Sequence, residues 1–110
     1  MSRSDEDVRV VLITAPDADT GARIARALVE ERLVACVNLV PGVRSIYRWE
    51  DAVQDDAEVL LVAKTASGRA RALADRVREV HPYDVPEVLV LPVEGGSAPY
   101  LDWVREEVSR

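Results

Sequence analysis

Phenylalanine is absent from the chain, and cysteine, histidine and methionine occur once each. Aromatic residues total only 5%, so an apolar core has to be built from Val, Leu, Ile and Ala. The single cysteine, Cys36, excludes an internal disulfide and a Cys-x-x-Cys metal loop. No apolar run reaches the roughly 20 residues a membrane-spanning helix needs. A cationic surplus is missing too. Basic residues number 14 against 20 acidic ones, for a net charge of −6, which argues against nucleic acid or an anionic membrane as partner. There is no Gly-rich phosphate loop.

What is present fits one domain. The chain has 110 residues, 48% hydrophobic and 31% charged, enough to bury a core without staples. Residues 1–7 are polar and acidic, and read as a frayed tail rather than a signal peptide. The expected organisation is this tail followed by a single domain over 8–110, in the cytoplasm.

Residues 8–14 form a mainly apolar run ended by Pro16, the pattern of a buried strand. Asp17 is placed to cap a helix whose apolar face holds Ile24, Ala25, Leu28 and Val29. Residues 35–40 and 58–65 read as strands, with 43–50 alternating between them and 51–56 as a polar turn. Ser67 opens a second helix, with Ala70, Leu73, Ala74, Val77 and Val80 at helical spacing, and Pro82 stops it. A fourth strand follows over 87–93, then a helix from Ser97. The order βαββαβ plus a C-terminal helix predicts an α+β fold, the ferredoxin-like split βαβ sandwich, with helices on one face of an antiparallel sheet.

Pro41-Gly42 lies between two strand segments. Pro-Gly favours a type II turn, whereas tight hairpins prefer primed turns. A bend within one long strand over 35–50 is therefore expected, with two short strands as the alternative. Such a strand spans about 50 Å. A compact domain of this length is only about 35 Å across. The hairpin should project, carrying Tyr47 and Trp49 at its tip. An exposed edge with aromatics invites pairing, and a closed symmetric assembly is the economical cover.

Several residues are candidates for a site. His81 lies at a helix end near Asp84 and Glu87, and imidazole plus carboxylates can take copper or another divalent cation. The alternative is that His81 ends the helix and Glu87 pairs locally. Cys36, in an apolar strand, reads as a small buried hydrophobe or a working thiol.

The fragments Thr14-Ala15-Pro16-Asp17, Cys36-Val37-Asn38-Leu39-Val40-Pro41-Gly42-Val43, Ser45/Tyr47/Trp49, Lys64-Thr65, His81-Pro82-Tyr83, Pro86-Glu87 and Tyr100-Leu101 with Trp103 together resemble the CutA family of divalent-cation tolerance proteins. The resemblance runs from about Val8 to the C-terminus. It implies a homotrimer whose long bent strands, here with Cys36, Asn38, Pro41 and Gly42, meet at the core. It implies metal-ion tolerance or response, with no established catalysis, so a conventional enzyme is not expected. The family's copper ligands fall here on Ile13, Val80 and Glu87, of which two cannot ligate. No cofactor is required. Binding of copper or another divalent cation, through His81, Glu87 or Asp84, should be weak. If one subunit's hairpin reaches the next subunit's 81–87 loop, Tyr47, Trp49, Lys64, Tyr83 and Trp103 line a cleft between subunits. That cleft could hold a small ligand, or its aromatics could simply seal the interface. The competing function is a nucleotide sensor resembling the PII signalling trimers.

Overall fold

The structure, a computed structural model, describes residues 6–110. Its elements in chain order are β1 (Val8–Ala15), α1 (Ala18–Glu30), β2 (Cys36–Trp49), β3 (Ala52–Ala66), α2 (Ala70–Val80), β4 (Val88–Pro92) and α3 (Ala98–Val108). A 3₁₀ turn, Ser67–Arg69, leads into α2. The sheet order is β2-β3-β1-β4, with every neighbouring pair antiparallel. This is the expected split βαβ order, but the helices do not share one face: α1 and α2 cover one side, and α3 lies on the other, where Tyr100 meets Cys36. Of the tail expected over 1–7, residues 1–5 lie outside the described residues. Glu6 and Asp7 accept backbone hydrogen bonds through their carbonyls, from the Arg105 side chain and from Ser67 N.

Strand parity sorts the sheet into two faces. Val11, Ile13, Ala15, Leu61 and Ala63 point one way and pack with Ile24 and Leu28 of α1 and Leu73 and Val77 of α2. All are fully or almost fully buried, so this layer is the core. The Asp17 carboxylate caps α1, accepting from Thr20 N at 2.7 Å. That bond holds the Asp17 carboxyl below its ordinary value of 3.8. Asp17 therefore stabilises the fold above pH 3.8, and the contribution fades as pH falls through the lowered folded value. Asp17→Asn should keep the cap. Its thermal midpoint should match wild type in strong acid and fall slightly below it at neutral pH.

β2 runs as one strand through Pro41-Gly42. Val40 pairs with Leu60 and Val43 with Glu58, so two residues face the single Val59: a β-bulge. Gly42 supplies the positive φ, 78°, that the bulge requires. Within one chain Gly42→Ala meets no atom within 4 Å, so its cost to the chain's own fold is backbone strain. Urea unfolding should show a loss of about 1 kcal/mol.

The hairpin projects as expected, and the longest extent of the molecule is 44 Å against 25 and 22 Å across. One expectation is corrected. Residues 51–56 are not a turn, because β3 begins at Ala52 and the hairpin closes on Glu50 and Asp51 at φ 49° and 63°. Both central residues have positive φ, the requirement of a primed hairpin turn, and Asp tolerates it. Gln54, Asp55 and Asp56 continue the strand opposite Tyr47, Ile46 and Ser45.

Candidate functional site

β1 ends at Ala15, opposite Val59, while β3 continues outward from that point toward the hairpin tip. Beyond the end of β1, the loop after α2 lies alongside the hairpin. Between them is an open cleft of about 720 Å³. Its walls include Tyr47, Trp49, Asp56 and Glu58 from the hairpin and Tyr83, Asp84 and Glu87 from the loop.

The loop is anchored by His81. α2 stops there because Pro82 forces the preceding residue into extended backbone, and His81 has ψ 140°. Its ring is buried and holds two backbone groups. Tyr83 N donates to Nδ1 at 3.1 Å, so Nδ1 is unprotonated. Nε2 then carries the proton and donates to Thr14 O at 2.7 Å. The imidazole ties the loop to the end of β1, with the Tyr83 ring 4.7 Å away.

Tyr83 continues the chain of contacts across the cleft. Its hydroxyl donates to Glu58 Oε2 at 2.8 Å. Burial, reinforced by the Glu58 carboxylate, pushes the Tyr83 phenol well above its ordinary range, so it remains a donor. Glu58 is only 7% exposed. Nearer the tip, Tyr47 donates to Asp56, and this bond raises the Tyr47 phenol.

The structure thus gathers Tyr47, Trp49, Tyr83, Asp84 and Glu87 around one cleft, built within a single chain. It separates Lys64 and Trp103 from them. The Lys64 ammonium donates to the Asn38 side chain, far back along the sheet. Trp103 lies on α3 beside Tyr100, with ring centroids 5.7 Å apart. Tyr100 in turn shares a 3.4 Å hydrogen bond with Cys36, which is half-buried. That bond, with burial second, pushes the Tyr100 phenol up to about 12. Asp56, Glu58 and Thr14 are cleft residues that the sequence reading did not select.

The CutA1 divalent ion tolerance protein model matches residues 9–107. The chain belongs to the CutA1 family. It is 54% identical over 97 residues to the divalent-cation tolerance protein CutA of Thermus thermophilus, covering 88% of this chain and 94% of that protein. It is 52% identical over 99 residues to the human protein CutA, covering 90% of this chain but only 55% of the human one. The solved Thermus thermophilus structure superposes with a TM-score of 0.90 at 51% identity, covering 93% of this chain and 99% of that one. A CutA from Archaeoglobus fulgidus, described as periplasmic, gives 0.90 at 34% identity, covering 93% and 99%.

The CutA copper pattern does not fit the residues present here. Ile13 is a fully buried core side chain, and Val80 packs against the core. Glu87 alone is exposed at the cleft. His81 has both ring nitrogens committed to the backbone. Among the described residues, no three His, Cys, Asp or Glu side chains converge on a point that holds a metal ion. No described helix is long and apolar enough to cross a membrane.

Proposed function

We propose that the chain works as a homotrimeric divalent-cation tolerance protein, acting through assembly and weak metal binding rather than catalysis. The observation that carries this reading is the second face of the sheet. α3 lies over one end of it, where Tyr100 meets Cys36 and where Val104 and Val108 are buried. The remainder is largely apolar and open, interrupted by the Lys64–Asn38 pair. Leu12, Leu60 and Val62 are half-buried, while Val40, Leu89 and Leu91 are exposed. Apolar surface left in water forgoes about 25 cal/mol per Å². The strands β2 and β4 also end the sheet with unpaired backbone edges. A closed ring of copies covers the face and both edges together. The number three comes from the CutA resemblance.

Metal tolerance is the family's shared description, and the acidic cleft is the part of this chain that attracts cations. The same cleft disfavours the nucleotide-sensor reading, since no Lys, Arg or His is among its lining residues to meet a phosphate. We place the protein in the cytoplasm, where the thiol of Cys36 stays reduced.

Copper titration at neutral pH should give weak binding only, by calorimetry. A stoichiometric submicromolar site abolished by His81→Ala would contradict this. In a strain lacking the gene, wild type should restore metal tolerance and Val62→Glu, a charge on the open face, should not. Full restoration by a variant proven monomeric would overturn assembly as the basis of function.

A further inference from the structure

One charged group interrupts the sheet face that α1 and α2 leave uncovered. Lys64 stands on β3 between Val10 of β1 and Cys36 of β2, its Cα partners on either side. Val62 follows it along the same face, with Leu12 beside Val62 on β1. The Lys64 ammonium donates to the Asn38 side chain, and in a single chain this pair faces water. Among the described residues, no carboxylate lies within ion-pairing distance of Lys64.

Of the 14 lysine and arginine residues, Lys64 alone is lysine. A guanidinium is a planar fork, whereas an ammonium is compact and directs three donors toward separate acceptors. Asn38 takes one of the three, and no second acceptor for Lys64 is found among the described residues. In water the other two donors are satisfied by solvent. Under a cover of apolar surface, each is costly unless the cover brings an acceptor. The site is therefore incomplete within one copy. The unpaired carbonyls along the β2 and β4 edges are acceptors of the kind it needs.

We infer that Lys64 is a contact between copies: oxygen acceptors of a neighbouring copy complete its hydrogen bonds, and that requirement fixes the register of the copies. This inference rests on the proposed assembly through the open face. A wholly apolar face can slide against its cover, whereas an enclosed ammonium accepts only the arrangement that satisfies it. Lys64 thus determines the specificity of the interface rather than its strength.

The only lysine offers a direct test, because an amine-acylating reagent has no other side-chain target. Peptide mass spectrometry reads the acylation rate at Lys64, and sedimentation velocity gives the mass of each sample. Lys64 should be acylated roughly tenfold or more slowly in assembled wild type than in a folded one-chain species. That species is reached by dilution or by Leu89→Glu, which puts a charge on an exposed position of β4. Lys64→Met should still assemble, because its face is then more apolar, but should give several masses where wild type gives one. A wild type of one chain mass would overturn the assembly and this inference with it. An assembled wild type acylated as fast as the one-chain species, or a Lys64→Met protein with the single mass of wild type, would overturn this inference alone.

Discussion

Val62→Glu should convert the proposed trimer into a folded monomer. Val62 is in the middle of β3, between Leu12 on β1 and Asn38 on β2, on the sheet face that α1 and α2 do not cover. In a single chain it is half-buried, so a glutamate there can turn its carboxylate to water. The cost to the isolated fold should be about 1 kcal/mol. In the proposed trimer the same position is enclosed by other copies. An unpaired carboxylate in such a place costs several kcal/mol, and three copies suffer it together. Sedimentation velocity should show the mass fall to one chain, with far-UV circular dichroism retained. Val29→Glu, on the exposed side of α1, is the control and should leave the mass unchanged. A Val62→Glu protein that sediments like wild type would remove this face from the interface.

Leu61→Ala should lower unfolding free energy by about 3–5 kcal/mol, compared at one protomer concentration. Leu61 is next to Val62 but points the other way, into the core, and is fully buried. Its side chain faces Gly21 of α1. A Cβ built on Gly21 would be 3.2 Å from Leu61 Cδ1. Truncation leaves a cavity between rigid elements that cannot close over it. The loss should appear in the denaturant midpoint while the oligomer mass holds at low denaturant. The pair Leu61 and Val62 thus separates folding from assembly at adjacent positions.

The core was legible because its signals are local. Apolar runs gave the strands, helical spacing gave α1 and α2, and Asp17 and Pro82 gave helix ends. Pro41-Gly42 revealed the bulge through the mismatch between its turn preference and a tight hairpin. The hairpin tip misled for a physical reason. Where the hairpin leaves the domain, both faces meet water and strand alternation disappears, so Gln54, Asp55 and Asp56 look like a turn.

The cleft was half legible. Tyr47, Trp49, Tyr83, Asp84 and Glu87 were selected as aromatics and carboxylates near the hairpin and the 81–87 loop. Glu58 was hidden because its importance comes from Tyr83, 25 residues away, and from burial under that loop. A charged residue opening the apolar run of β3, on the same face as Asp56, was the available signal. The fixed role of His81 depends on Thr14, 67 residues distant, which no spacing rule reports. Within one chain, six residues along β3 separate Lys64 from Glu58 by about 20 Å.

Light scattering on size-fractionated wild-type protein at micromolar concentration tests the proposed assembly most directly. The expected mass is three times the 12.1 kDa of one chain, independent of dilution through that range. A stable species of one chain mass would contradict it.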